Sequence, residues 1–254
     1  WEIVNEPLAR TTDRFAANNA EKAYIATAFK TAKIARPDAR LILNEFGVFG
    51  SLAGSNYNRD RYFDIAKGLL DSGIPVDVIG IQAHSNGEWF EPSNVAVQLA
   101  RYATLGKPLQ ISEFSVQTEV YGGGHPQPIS GEYADGKWDS AKQAEFYREF
   151  YTVAFGEPSV EAIVTWGLDD ERAWLPGIGL IDKHGTAKPA YDELDKLINN
   201  EWRTNVNGDT NSNGEFEFRG FFGDYVVKAE TPLGSIRLNA ALEKGVGNNW
   251  KFVV

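Results

Sequence analysis

Five short apolar segments, each running into a polar or aromatic residue at its C-terminal end, limit most strongly what this chain can fold into. They are Ile3-Val4 leading to Asn5-Glu6, Leu41-Ile42-Leu43 leading to Asn44-Glu45, Val76–Ala83 leading to His84, Leu109–Ser112 leading to Glu113, and Ala162–Thr165 leading to Trp166. Successive end residues lie 39, 39, 29 and 53 positions apart, each enough for one helix and its loops. The intervening stretches carry helical periodicity. Ile25, Ala28, Phe29 and Ala32 share a face of a helix expected from about Asn19 to Arg36. Tyr62, Ile65, Ala66 and Leu69 do the same in one near Arg59–Ser72, which Gly73 closes. Ser93 is the expected N-cap of a helix to about Leu105, ended by Gly106. A Gly/Pro-rich loop containing Gly122-Gly123-Gly124 precedes a helix whose Ser140 and Gln143 fit a capping box. Its buried face is Tyr147, Phe150, Tyr151 and Ala154, and a last helix starts at Pro189.

Strands apolar on both faces and alternating with helices predict a parallel α/β sheet. Function-bearing residues gathered at strand C-termini fit a (β/α)8 TIM barrel. A doubly wound nucleotide-binding sheet fits less well, because no Gly-rich phosphate turn is present. Only about five of eight βα units are here, spanning residues 1–200. From about Trp202 the texture changes to an Asn/Gly/Asp cluster over 205–214. Short alternating segments follow at Phe216 and Phe218, Tyr225–Val227, Ile236 and Leu238, and Trp250–Val254. That predicts a small β-sandwich-like module over residues 201–254. Asp209–Gly214 reads as an Asn/Gly turn, because a calcium loop would need a bidentate acid where Gly220 stands.

Composition excludes several function classes. The chain has 254 residues, 43% of them hydrophobic, and a net charge of −10, which argues against a nucleic-acid partner. No apolar run is long enough to suggest a membrane span. There is no cysteine, so disulfides and thiolate metal sites are excluded. There is also no methionine, even at residue 1, so the chain reads as part of a longer protein.

Two carboxylates at strand ends, Glu6 and Glu113, are what acid–base chemistry on a glycosidic bond requires. From the residues alone, Glu6 remains equally readable as a strand-end carboxylate in an ion pair, and His84 as a core histidine. Trp1–Glu6, Gln82-Ala83-His84, Ile111-Ser112-Glu113 and the Trp166–Trp174 stretch together resemble the signature segments of glycoside hydrolase family 10. That is the family of (β/α)8-barrel endo-β-1,4-xylanases. The resemblance covers about residues 1–200 and places Trp1–Glu6 at the fourth barrel strand.

The resemblance implies that Glu6 is the general acid/base and Glu113 the nucleophile of a retaining reaction. Such a pair stands about 5–5.5 Å apart. It assigns substrate binding to Asn5, Asn44, Phe46, Gln82, His84, Trp166 and Trp174, with Asn5 on the sugar 2-hydroxyl and the two indoles walling the cleft. The chain departs from the family at Glu45 and Gly47 beside Asn44, at Ala173, and at Ser115, where an acidic residue normally faces His84. A neutral serine brings no charge to that imidazole. The implied substrate is xylan or xylo-oligosaccharide, with no metal or organic cofactor and an extracellular location. A missing N-terminal barrel segment, or self-association, is needed to complete the fold. Two alternatives stay open: a non-catalytic partial barrel that binds polysaccharide, and the same machinery acting on another β-glucan.

Overall fold

The computed structural model describes residues 1–8, 20–50, 55–85, 90–118 and 139–251. The Gly122–Gly124 loop and the last three residues of the Trp250–Val254 segment lie outside them. Five strands, β1 (Glu2–Asn5), β2 (Ile42–Glu45), β3 (Val78–Ser85), β4 (Leu109–Val116) and β5 (Val160–Thr165), form one parallel sheet in sequential order. Helices α1 (Ala20–Ala35), α2 (Ser55–Asp71), α3 (Pro92–Ala103) and α4 (Ser140–Gly156) provide the crossovers, and α5 (Pro189–Lys196) follows β5. This is the expected partial (β/α)8 barrel. The chain divides into two compact units, Trp1–Leu194 and Asp195–Val254.

In the first unit the helical stripes read from the sequence do pack inward. Ile25, Phe29, Tyr62, Ile65, Ala66 and Leu69 are all buried. Buried Tyr62 ties α2 to the sheet, its hydroxyl lying 2.7 Å from the Leu43 carbonyl and 2.8 Å from that of Gly80. Phe114 on β4 meets four rings of α4: Phe146 at 6.1 Å, Tyr147 at 4.7 Å, Phe150 at 4.4 Å and Tyr151 at 5.5 Å. At the strands' N-terminal end, Arg40 donates to both carboxylate oxygens of Glu161 at 2.8 and 2.9 Å. Arg40 precedes β2 and Glu161 lies on β5, so the sheet curls enough for residues three strands apart to touch. The curl does not close: β1 and β5 are unpaired edges among the described residues. None of the described helices is long and apolar enough to cross a membrane.

Two helix starts differ from expectation. Helix α3 begins at Pro92 with Glu91 as a cap that makes no side-chain bond, so Ser93 is not the N-cap. Proline suits a first turn, where its missing N–H has no partner to lose. Helix α4 is capped by Asp139, whose Oδ1 accepts from Ala141 N and Lys142 N at 3.0 Å each. The expected Ser140/Gln143 box does not form. Gln143 is fully buried, and its Nε2 donates instead to the Val116 and Gly177 carbonyls.

The second unit holds β6 (Gly223–Thr231) and β7 (Gly234–Leu242), paired antiparallel across the two-residue loop Pro232-Leu233. Tyr225, Val227 and Ala229 face Ala240, Leu238 and Ile236 in register. Phe218, Tyr225 and Trp250 pack against one another with ring centroids 5.6–5.9 Å apart. The expected sandwich is not there: among the described residues the unit has this one sheet, and the Phe216–Phe218 segment is not a strand. Two residues of alternation are too few to hold a ladder. The Asn/Gly cluster forms the expected turn, with Asn211 Oδ1 accepting from Asn213 N and Glu215 N.

Candidate active site

The register β1–β2–β3–β4 brings the ends of four strands together, and with them Asn5, Glu6, Asn44, Gln82, His84 and Glu113. At the centre is Asn44, fully buried. Its Nδ2 lies 3.1 Å from Glu2 Oε2, 3.1 Å from Asn5 Oδ1 and 3.2 Å from Glu113 Oε1. Ser112 Oγ donates to Asn44 Oδ1 at 2.5 Å, which fixes the amide with its nitrogen toward the carboxylates. Gln82 Nε2 donates to Asn5 Oδ1 and to Glu6 Oε1, both at 3.1 Å. Glu113 and Glu6 are therefore joined by a continuous relay through Asn44, Asn5 and Gln82.

His84 Nε2 faces Glu113 Oε2 at 3.0 Å, and its Nδ1 faces Ser115 Oγ at 2.7 Å. A neutral imidazole with its proton on Nε2 satisfies both contacts, donating to Glu113 and accepting from the serine hydroxyl. The serine thus occupies the place opposite His84 that the sequence assigned to it. Both oxygens of Glu113 are bonded, and its residue is only 8% exposed. The Trp174 indole stands edge-on to the His84 ring, with centroids 5.3 Å apart at 70°.

Glu6 is the one non-glycine residue with positive φ among the described residues, at 52°. The left-handed region costs a side-chain-bearing residue roughly 1–2 kcal/mol. The strain is held by Glu6 N donating to Asn44 O at 3.0 Å, and by Glu45. Fully buried Glu45 accepts from Leu8 N at 2.8 Å and Phe46 N at 2.9 Å, one oxygen each, pinning the chain just after Pro7. In this conformation the Glu6 carboxyl accepts from Gln82 Nε2.

Not every expected residue joins this cluster. Phe46 lies one position past β2, half-buried, and no hydrogen bond links it to the relay beyond its backbone bond to Glu45. Trp166 is 45% exposed and makes no ring contact with Trp174 among the described residues. Conversely, Glu2, Ser112 and Gly80 have functions in the site that the sequence did not show. A Cβ on Gly80 would come within 2.6 Å of Asn44 Oδ1. Burial, followed by the charges of Glu113 and Glu6, pushes the Glu2 carboxyl above its ordinary value of 4.5, against the hydrogen bond from Asn44 and the chain's amino terminus. Three carboxylates thus share one patch of negative potential.

A curled parallel sheet with carboxylates and amides gathered at its strand ends has the architecture of a partial (β/α)8 barrel. Comparison with known proteins makes this specific. A family model, Glycosyl hydrolase family 10, matches residues 1–197, and the chain belongs to that family. Endo-1,4-beta-xylanase B of Thermotoga neapolitana is 28% identical over 208 residues, covering 78% of this chain and 56% of that protein. The native xylanase 10B structure from Thermotoga maritima superposes with a TM-score of 0.63 at 29% identity. Xylanase 10B from Thermotoga petrophila, solved in complex with xylobiose, gives the same score at 27%. Both cover 79% of this chain and 60% of theirs. The chain thus spans rather less than two thirds of the length of these relatives.

Proposed function

We propose that this site performs retaining hydrolysis of the β-1,4 bonds of xylan. The relay joining Glu6 to Glu113 carries the reading, because it supplies two carboxylates with different surroundings in one hydrogen-bonded cluster. Glu113, held on both oxygens by Asn44 and His84, attacks the anomeric carbon. Glu6, held on one oxygen by Gln82, protonates the leaving glycosidic oxygen. Water then enters, gives its proton to Glu6, and displaces Glu113 from the sugar. Asn5 accepts two hydrogen bonds on Oδ1, so its own Nδ2 is left to meet a sugar 2-hydroxyl. Trp174 and Trp166 offer indole faces to the glycone side, and Phe46 a ring to the aglycone side. The chemistry uses side chains and water alone. A polymeric substrate outside the cell places the protein extracellularly.

The open edges at β1 and β5 favour a second reading, in which the isolated chain binds polysaccharide without cleaving it until further βα units complete the barrel. These units come from a longer form of the polypeptide or from association of copies. Initial rates on xylan and on a mixed-linkage glucan separate the readings and the substrates. Glu113→Ala is expected to lower turnover at least about a thousandfold, and azide to restore it with a product of inverted configuration. Glu6→Ala is expected to slow substrates with poor leaving groups far more than activated ones. Near-normal rates in both variants show the roles to be wrong.

A further inference from the structure

We propose that Lys188 is a positioning residue for the saccharide cleft: it fixes the loop between β5 and α5 that sets Trp174 against His84. This rests on the proposed function for its consequence but not for its geometry. Lys188 directly precedes α5, and its side chain is only 8% exposed. Its Nζ donates to Asp170 Oδ2 at 3.1 Å and to the Gly177 carbonyl at 3.0 Å. Two more donors converge on that carbonyl, Gln143 Nε2 from α4 and Thr118 Oγ1 from just past β4, each at 3.0 Å. The other Asp170 oxygen accepts from Gly179 N at 2.6 Å. The loop passes so close there that a Cβ on Gly179 would lie 2.7 Å from Asp170 N. One buried ammonium thus ties both arms of the loop, at Asp170 and at Gly177, to the start of α5.

Trp174 lies between those two anchors. It is 54% exposed, so burial does not hold it in place, and its one ring contact among the described residues is His84. Its position follows from the anchors on either side. Through His84 Nε2 the same placement reaches Glu113 Oε2. Lys188 itself bonds to none of the strand-end carboxylates, so its influence passes through the loop. Removing the ammonium leaves Asp170 Oδ2 without its donor and the Gly177 carbonyl one donor short. The loop tip is then free to move.

The test uses the whole 254-residue chain labelled with fluorotryptophan, in which the Trp174 fluorine signal is identified by its loss in Trp174→Phe. In Lys188→Met the Trp174 signal is expected to move or broaden, while those of Trp202 and Trp250 stay in place. The KM for xylo-oligosaccharides is expected to rise about fivefold with kcat little changed, and this rise to vanish in a Trp174→Ala background. Asp170→Asn and Thr118→Val make the same test if Lys188→Met does not fold. A folded variant whose Trp174 signal is unmoved, or a KM effect of equal size with and without Trp174, overturns the proposal. A moved signal in a chain that never turns over xylan supports the positioning role and counts instead against the catalytic reading.

Discussion

Asn44 has two amide hydrogens and three oxygen acceptors within 3.2 Å, so Glu2, Asn5 and Glu113 compete for this one amide. Anything that shifts this amide redistributes hydrogen bonds around the proposed nucleophile. Gly80→Ala tests it, because the new methyl group would crowd Asn44 Oδ1 from behind. A loss of about 1–3 kcal/mol in stability is expected from the overpacking, with a fall in turnover larger than that loss explains. Chemical denaturation and initial rates, measured side by side, check it; an unchanged rate would mean that the amide tolerates displacement. Glu2 makes a pH prediction. Between 4.5 and its raised native value, the folded chain holds a proton that the unfolded chain has released. Stability is therefore full below that window and declines as pH rises through it. Glu2→Gln removes the penalty while keeping an acceptor for Asn44, so it is expected to melt roughly 1–2 °C higher than the parent at pH 7, water screening keeping the effect small. At pH 4 the two should melt together. Glu6, Glu113 and His84 stood out in the sequence because each ends an apolar segment, and Gln82 because Gln82-Ala83-His84 resembles a family segment. Glu2 was not, because its side chain matters only through Asn44, on a different strand. Gly80 was hidden for the same reason: nothing in Ile79-Gly80-Ile81 tells which neighbouring side chain needs the space.

At the scale of elements, the N-terminal rim of the sheet is assembled by Asp77, which lies just before β3. Its Oδ2 accepts from Lys33 Nζ of α1 at 3.0 Å and from Leu41 N just ahead of β2 at 2.9 Å. Burial pushes this carboxyl up, but the Lys33 ammonium and the Leu41 N–H outweigh it and hold it below 3.8. A carboxyl lowered in the folded state stabilises above its unfolded value, and that contribution is lost as pH falls through the native one. Asp77→Asn is expected to cost about 1 kcal/mol at pH 7, since both groups are partly solvated. The gap from the parent should close as pH drops below 3.8, which urea midpoints at a series of pH values will show. A gap that persists in acid would assign the cost to packing instead. Strand and helix order was legible here because apolar periodicity is set by burial alone. Helix starts were less so. Ser93 and Ser140 are good caps by residue type, but the chain enters α3 through Pro92 and α4 through Asp139, while Gln143 is drawn inward by the Val116 and Gly177 carbonyls. Tertiary partners decided between equally good local choices.

For the whole molecule, the decisive feature is a sheet that curls without closing. Parallel sheets are stable when both faces are covered and both edges are protected, and here, among the described residues, β1 and β5 present unpaired backbone groups. Large apolar side chains stand exposed beside them: Trp1 at 73%, Val164 at 46% and Leu168 at 60%. The number of strands was readable from the sequence, and so was the missing closure, since five apolar segments cannot complete an eight-stranded barrel. The Arg40–Glu161 pair that bridges the curl was not readable, because it joins residues 121 positions apart. The edge–apolar combination predicts self-association of the isolated chain. Light scattering across a dilution series is expected to give a mass well above 28.1 kDa at high concentration, falling on dilution. Val164→Lys places a charge on the β5 edge strand, where pairing would bury it, and is expected to shift the equilibrium toward monomer at least about tenfold. If association runs through the sheet edge, supplying the strands that complete the barrel should suppress it as well. A chain that stays monomeric at every concentration, melts cooperatively and hydrolyses xylan would mean that the open edges are satisfied within the chain itself. The sheet would then work with five strands.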